Sequence, residues 1–170
     1  DTETTSLNPF KAELVGIGFC WGKEITSLSY IPIGHISDEI VSAEECKEQL
    51  SLETVINNLR EWITSDKHPK VLQNVKYDRL ILLRHGLELN GVVMDTLLAD
   101  YIKNSNNKHS LSEISKREFN YIPIGFNDLV EKGKSFSNVS IKNASFYCGM
   151  DVFLTRKISH ILRNDLNSME

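Results

Sequence analysis

Ala12-Glu13-Leu14-Val15-Gly16-Ile17-Gly18-Phe19-Cys20-Trp21 is the stretch that decides the fold. It is apolar and β-leaning, which predicts a largely buried strand over 12–21. Gly22-Lys23-Glu24 reads as a turn. A second strand is predicted from Ile25 to Ile33, ended by Pro32 and Gly34, so the pair forms a hairpin. Working outward, 35–50 reads as a polar loop with a short helix near Ala43–Gln49. Ser51 can cap a helix from Leu52 to about Ser65, with Leu52, Val55, Ile56, Leu59, Trp62 and Ile63 on its apolar face. Pro69 precedes a short strand, Lys70–Gln73, and a helix follows from about Lys76 to His85, ended by Gly86. Val92–Met94 is another short strand, and Asp95 caps a helix to about Lys103. Ser110 caps a helix from Leu111 to about Arg117. Residues 119–140 read as mostly loop. A last helix runs from about Lys142 to Leu166, with Phe146, Met150, Phe153, Leu154, Ile158, Ile161 and Leu162 inward. A hairpin followed by alternating helix and strand predicts an α/β sheet of mixed direction.

The chain has 170 residues, 41% hydrophobic and 25% charged, which is the composition of one globular domain. No stretch approaches the ~20 apolar residues of a membrane helix. Cys20, Cys46 and Cys148 are odd in number and widely spaced. That predicts free thiols in a reducing cytoplasm and excludes a zinc ribbon or disulfide framework. Nineteen basic against 23 acidic residues give a net charge of -4, which on its own argues against a simple nucleic-acid binder.

Carboxylates stand at three separated places. Asp1 and Glu3 are two apart, and in a strand they share a face. Two like charges on one face are costly unless something positive sits between them, and a hard divalent cation fits. The alternative is a polar chain end. Asp78 follows Asn74 and Tyr77 at a helix entrance, where an acid alone serves the helix dipole. Tyr147 and Asp151 are four apart and share a helix face. Tyr147 alone reads as packing, whereas an Asp on an otherwise apolar helix face is expensive to bury without compensation.

Taken together, Asp1-x-Glu3, Gln73-Asn74-x-x-Tyr77-Asp78 and Tyr147-x-x-x-Asp151 occur in that order. The pattern resembles the DEDD exonuclease superfamily, in the branch whose third motif carries a tyrosine. It is closer still to the 3′–5′ proofreading exonuclease domain of bacterial family A DNA polymerases. Segments 1–7, 73–79, 95–102 and 131–134 extend the likeness over nearly the whole chain. The resemblance implies a ribonuclease H-like fold, a mixed five-stranded sheet flanked by helices. It implies removal of nucleoside monophosphates from a DNA 3′ end by two divalent ions, Mg²⁺ or Mn²⁺. Asp1, Glu3 and Asp151 would hold the ion that binds the attacking water. Asp1 would bridge to a second ion near Asp78, and Tyr147 would orient the water. Thr4, Leu7, Gln73, Asn74 and Phe126 would contact substrate, with core packing the alternative for Leu7 and Phe126.

Other residues fit the pattern less closely. Segment 106–110 departs from the basic stretch of many relatives. Lys108, Lys132 and Lys134 read as solvated loop charges before phosphate contacts, and His109 receives no role. Asp95 reads as a helix cap, with metal binding as the alternative.

The resemblance also implies that residues 1–170 form a single exonuclease domain, a segment of a longer protein. An apolar strand start would precede Asp1, and a polymerase domain would lie downstream. The expected substrate is a single-stranded or frayed DNA 3′ end, bound by a cytoplasmic monomer with no membrane association. A ribonuclease D-like RNA exonuclease and an inactive spacer domain are the rival readings. Retention of Asp1, Glu3, Asp78, Tyr147 and Asp151 argues against the spacer.

Overall fold

The computed structural model describes residues 1–38 and 41–169, so Glu39 and Ile40 of the expected 35–50 loop, and Glu170, lie outside the described residues. Among the described residues five strands form: β1 (Thr2–Thr4), β2 (Leu14–Cys20), β3 (Leu28–Pro32), β4 (Lys70–Leu72) and β5 (Val92–Asp95). The helices are α1 (Ala43–Lys47), α2 (Leu52–Ile63), α3 (Val75–Arg84), α4 (Thr96–Lys103), α5 (Leu111–Phe119), α6 (Phe126–Leu129) and α7 (Ile141–Asn167). A 3-10 turn, Phe136–Asn138, precedes α7.

The α/β expectation of mixed strand direction holds. β1, β2 and β3 pair antiparallel, while β4 and β5 pair parallel. The expected hairpin is there, in the register Gly16 opposite Pro32 to Cys20 opposite Leu28. Its second strand starts at Leu28 rather than Ile25, because the reversal is wider than a tight turn. The Trp21 N–H reaches the Ser27 carbonyl at 3.0 Å. Residues 119–140 are not all loop, since α6 and the 3-10 turn form within them.

Helices cover both faces of the strands. On one side, Val55 of α2 and Ile81 of α3 pack on Leu14 and Ile17. On the other, Phe136, Val139 and Ala144 pack on Val15, and Ile158 and Leu162 of α7 pack with Ala99 and Ile114. Phe146 corrects the expected inner face of the last helix, being 56% exposed. The buried stripe there is Ala144, Cys148, Gly149, Val152, Leu154, Thr155, Ile158, Ser159 and Leu162, so the expected Leu154, Ile158 and Leu162 do face inward. Small residues allow α7 to lie against β2. A Cβ at Gly18 would stand 2.4 Å from Cys148 Sγ, so only glycine permits the approach. Caps fall where the sequence places them: Ser51, Asp95 and Ser110 each accept a backbone N–H of the helix that follows. Gly86, at φ +72°, takes the left-handed turn that ends α3. Among the described residues, no helix is long and apolar enough to cross a membrane.

The five strands form two ladders, of three and two strands. Pairing of β2 with the chain's first residues ends at Gly18, whose N–H donates to the Asp1 carbonyl at 2.9 Å. Beyond it, between Phe19–Trp21 and Pro69–Leu72, lies a cleft of about 450 Å³. Leu59, Trp62 and Ile63 of α2 line it, as do Val152 and Thr155 of α7. Asp1 and Thr2 at the start of β1, the end of β2 and β4 all border this cleft. An apolar strand of about 5–6 residues, fused ahead of Asp1, is therefore expected to pair with β2 and β4. It should raise Tm by about 2–4 °C for each kcal/mol gained. Thermal unfolding of the extended and unextended proteins checks this, and an unchanged Tm counts against a strand slot.

Candidate functional site

Three elements bring carboxylates together. β1 carries Glu3 beside Asp1, the first turn of α3 carries Asp78, and α7 carries Tyr147, Cys148 and Asp151. A β-bulge falls between Glu3 and Thr4, a device that re-aims side chains beside functional sites. Glu3 is 8% exposed and Asp78 only 2%. Thr2 ties the first two elements: its N–H and Oγ1 donate to Asp78 Oδ1 at 2.9 and 2.8 Å. Ligand atoms of Asp1, Glu3 and Cys148 all lie within 4.8 Å of one another.

Electrostatics sharpen the picture. Burial, then the negative charge of Asp151, pushes Glu3 up to about 8. Burial pushes Asp151 up to about 7. Asp78 is raised too, by burial against the opposing bonds from Thr2. Burial first, then the charges of Asp151 and Glu3, holds the Tyr147 phenol well above its usual range, so the hydroxyl keeps its proton at neutral pH. Among the described residues, no lysine or arginine pairs with Asp1, Glu3, Asp78 or Asp151. Buried acids that no lysine or arginine side chain pairs with, offering hard oxygen donors, fit a divalent ion of the magnesium type.

The remaining candidates divide. Leu7 is 90% exposed, so packing does not account for it. Thr4 Oγ1 shares a hydrogen bond with the Tyr77 hydroxyl, which also donates to the Ser6 carbonyl at 2.5 Å and so secures the turn that presents Leu7. Tyr77 drew no role from the sequence; its place one residue before Asp78 was the available signal. Phe126 stacks on the buried Phe136 at 6.5 Å, and Phe136 meets Tyr147 at 5.8 Å. Gln73 uses both ends of its amide inside the protein. It accepts from Thr96 Oγ1 at 2.5 Å and donates to the His109 carbonyl at 2.9 Å. Asn74 takes φ +60° at the start of α3. Lys134 is held by Asp38 at 3.1 Å and Glu131 at 3.5 Å. Cys148, a free thiol on sequence grounds, lies against Glu3.

A model of the 3′–5′ exonuclease family matches residues 1–167. DNA polymerase I of Synechocystis sp. is 37% identical over 169 residues, covering 98% of this chain and 16% of the relative. DNA polymerase I of Borreliella burgdorferi is 30% identical over 172 residues, covering 98% of this chain and 17% of the relative. The chain thus spans about a sixth of the length of these curated relatives. Among solved structures, Brucella melitensis NrnC bound to pGG superposes with a TM-score of 0.68 at 18% identity. That match covers 99% of this chain and 72% of that one. The POL domain of Pol1 from M. smegmatis, in complex with DNA primer-template and dNTP, gives 0.65 at 16% identity over 92% of this chain and 22% of that one. At those identities the likeness is one of fold.

The raised carboxyls make metal-free stability depend on pH with a definite sign. The unfolded chain ionises these groups near 4.5 and 3.8, whereas the folded chain holds the protons to about 8 and 7. Their contribution is complete below the unfolded values and is lost as pH rises through the folded ones. Metal-free Tm is expected to fall from about pH 5 to pH 8, with Mn²⁺ restoring most at the alkaline end. Glu3→Gln should flatten the slope. A metal-free Tm that rises over this range contradicts the assignment.

Proposed function

The chain belongs to the 3′–5′ exonuclease family, and from that premise we propose that it hydrolyses the last phosphodiester at the 3′ end of a DNA strand. The products are a nucleoside 5′-monophosphate and a strand shorter by one nucleotide with a new 3′-hydroxyl. The observation that supports this most is the gathering of Asp1, Glu3, Asp78 and Asp151 beside a protonated tyrosine, with no lysine or arginine side chain paired to any of them among the described residues. Asp1, Glu3 and Asp151 would hold one divalent ion, Mg²⁺ or Mn²⁺, with Asp1 and Asp78 on a second. Such ions supply a nucleophile at neutral pH and charge for the attacking and leaving oxygens of an in-line displacement.

The chain's own residues do the rest. Tyr147 hydrogen-bonds the attacking water and orients it, with the Phe136 ring fixing its phenol. A phenol that stays protonated is a poor base, so its part is geometric. Leu7, standing free in solvent, wedges against the terminal bases. Phe126 stacks on Phe136 with one face and offers the other to a base, and stacking tolerates any base. Thr4 and Asn74 line the approach to the carboxylates.

The buried site must receive an unpaired end, so single strands and frayed 3′ termini are the substrate. Because the chain spans only about a sixth of its DNA polymerase I relatives, we place a polymerase domain in the same parent protein, acting in replication and repair as a cytoplasmic monomer.

Digestion of 3′-labelled single-stranded DNA and RNA with Mg²⁺ or Mn²⁺ tests the reading. DNA should be shortened stepwise from the 3′ end. Asp151→Ala should cut the rate by more than about 100-fold, the upper range for residues that only support metal ligands. Tyr147→Phe should cut it by about 100-fold without moving the Mn²⁺ midpoint. Leu7→Ala should leave Tm unchanged and raise KM. Absence of metal-dependent digestion by the folded wild type overturns the proposal, and preference for RNA replaces its substrate.

A further inference from the structure

Asp95 ends β5, and its one carboxylate serves the starts of two helices. Oδ1 accepts the Leu97 N–H at 2.9 Å and the Asn74 N–H at 3.0 Å, and Oδ2 accepts the Val75 N–H at 3.0 Å. Leu97 belongs to the first turn of α4, and Asn74 and Val75 open α3. The Asn74 side chain makes no cap bond of its own, so α3 is capped from another strand. Each helix start carries about half a positive charge, so two together balance about one carboxylate. Both oxygens of Asp95 are occupied by backbone N–H groups, which leaves the helix-cap reading and not the metal-ligand one.

The α3 end so anchored is the one that carries the site. Tyr77 and Asp78 lie in its first turn; Tyr77 fixes the Thr4–Ser6 backbone, and Asp78 bonds Thr2. Gln73 braces the same turn from the other side, through Thr96 and the His109 carbonyl. His109 in turn bonds the fully buried Asp100 at 2.6 Å, and Arg117 takes the other Asp100 oxygen. The Asn74 turn is therefore held at a φ of +60°, which side chains rarely adopt, by groups outside it.

We infer that Asp95 is a positioning residue for this site: by capping α3 and α4 together, it sets where Asp78 stands against β1. The inference rests on the exonuclease reading for its catalytic consequence, and on geometry alone for its structural one.

Asp95→Ala and Asp95→Asn in the full chain test both. Asparagine keeps one acceptor oxygen, so it can still serve Asn74 and Leu97. It loses the bond to Val75, and it holds the fold if alanine does not. In the variant crystal structure, Asp78 Oδ1 should move beyond about 3.5 Å from Thr2 N and Oγ1, fully with alanine and partly with asparagine. In digestion assays kcat should fall by about 10–100-fold, as for residues that orient metal ligands, with KM for the strand held and a higher Mn²⁺ midpoint. An Asp78–Thr2 pair that stays in place while α3 and α4 fray overturns the inference, as does an unchanged kcat. If the wild type digests nothing, the exonuclease reading fails, and the crystallographic comparison still decides the role of Asp95.

Discussion

Negative charge crowded into a dry place is the condition that the rest of this structure answers to. Glu3, Asp78 and Asp151 are drawn from three elements into one buried neighbourhood, with Asp1 at its rim. Carboxylates do not enter such a place ionised and unpaired, because desolvation and mutual repulsion both oppose it. Without a metal ion, Glu3 and Asp151 hold their protons to about 8 and 7. Asp78 takes two hydrogen bonds from Thr2 instead. The chain's net charge of -4 equals the sum of these four acids when ionised. The acidic balance that first argues against a nucleic-acid partner is thus the size of the site's own charge. Two divalent ions would cancel it, leaving a domain with little non-specific hold on phosphate.

The scaffold keeps that cluster in place by spending side chains on backbone. Gly18 gives up a side chain so that Cys148 and α7 can lie against β2. Asp95 holds two helix starts, and Gln73 joins strand end, helix and loop. Arg84 donates to the Pro9 and Ala12 carbonyls, so the loop after β1 is fastened to α3 as well. A site built on several elements in this way is more exact than one carried by a loop.

Much of this is legible in the sequence, for identifiable reasons. The i, i+2 spacing of Asp1 and Glu3 and the i, i+4 spacing of Tyr147 and Asp151 report faces of a strand and a helix directly. Ser51, Asp95, Ser110 and Gly86 mark helix ends through local chemistry. Relations between distant segments leave no local mark in the sequence. Asp95 reads as the cap of the helix that follows it, and its second helix lies 20 residues earlier. Cys148 reads as a lone thiol until β1 is laid beside α7. Gln73 reads as a substrate contact from its motif, but its amide turns inward to Thr96 and His109. Phe146 follows the hydrophobic spacing of α7 and still faces solvent, because hydrophobicity alone does not say which turn of a long helix has a neighbour. The strands of the expected single sheet all form, but pairing along β1 ends before it reaches β4, and the cleft between β2 and β4 separates the ladders.

Anomalous diffraction from crystals soaked in MnCl₂ tests the central claim most directly, that these carboxylates are gathered to hold cations. Two manganese peaks are expected, both liganded from within the set Asp1, Glu3, Asp78 and Asp151. Crystals in which that set stays free of manganese at concentrations that load exposed acids elsewhere would contradict it.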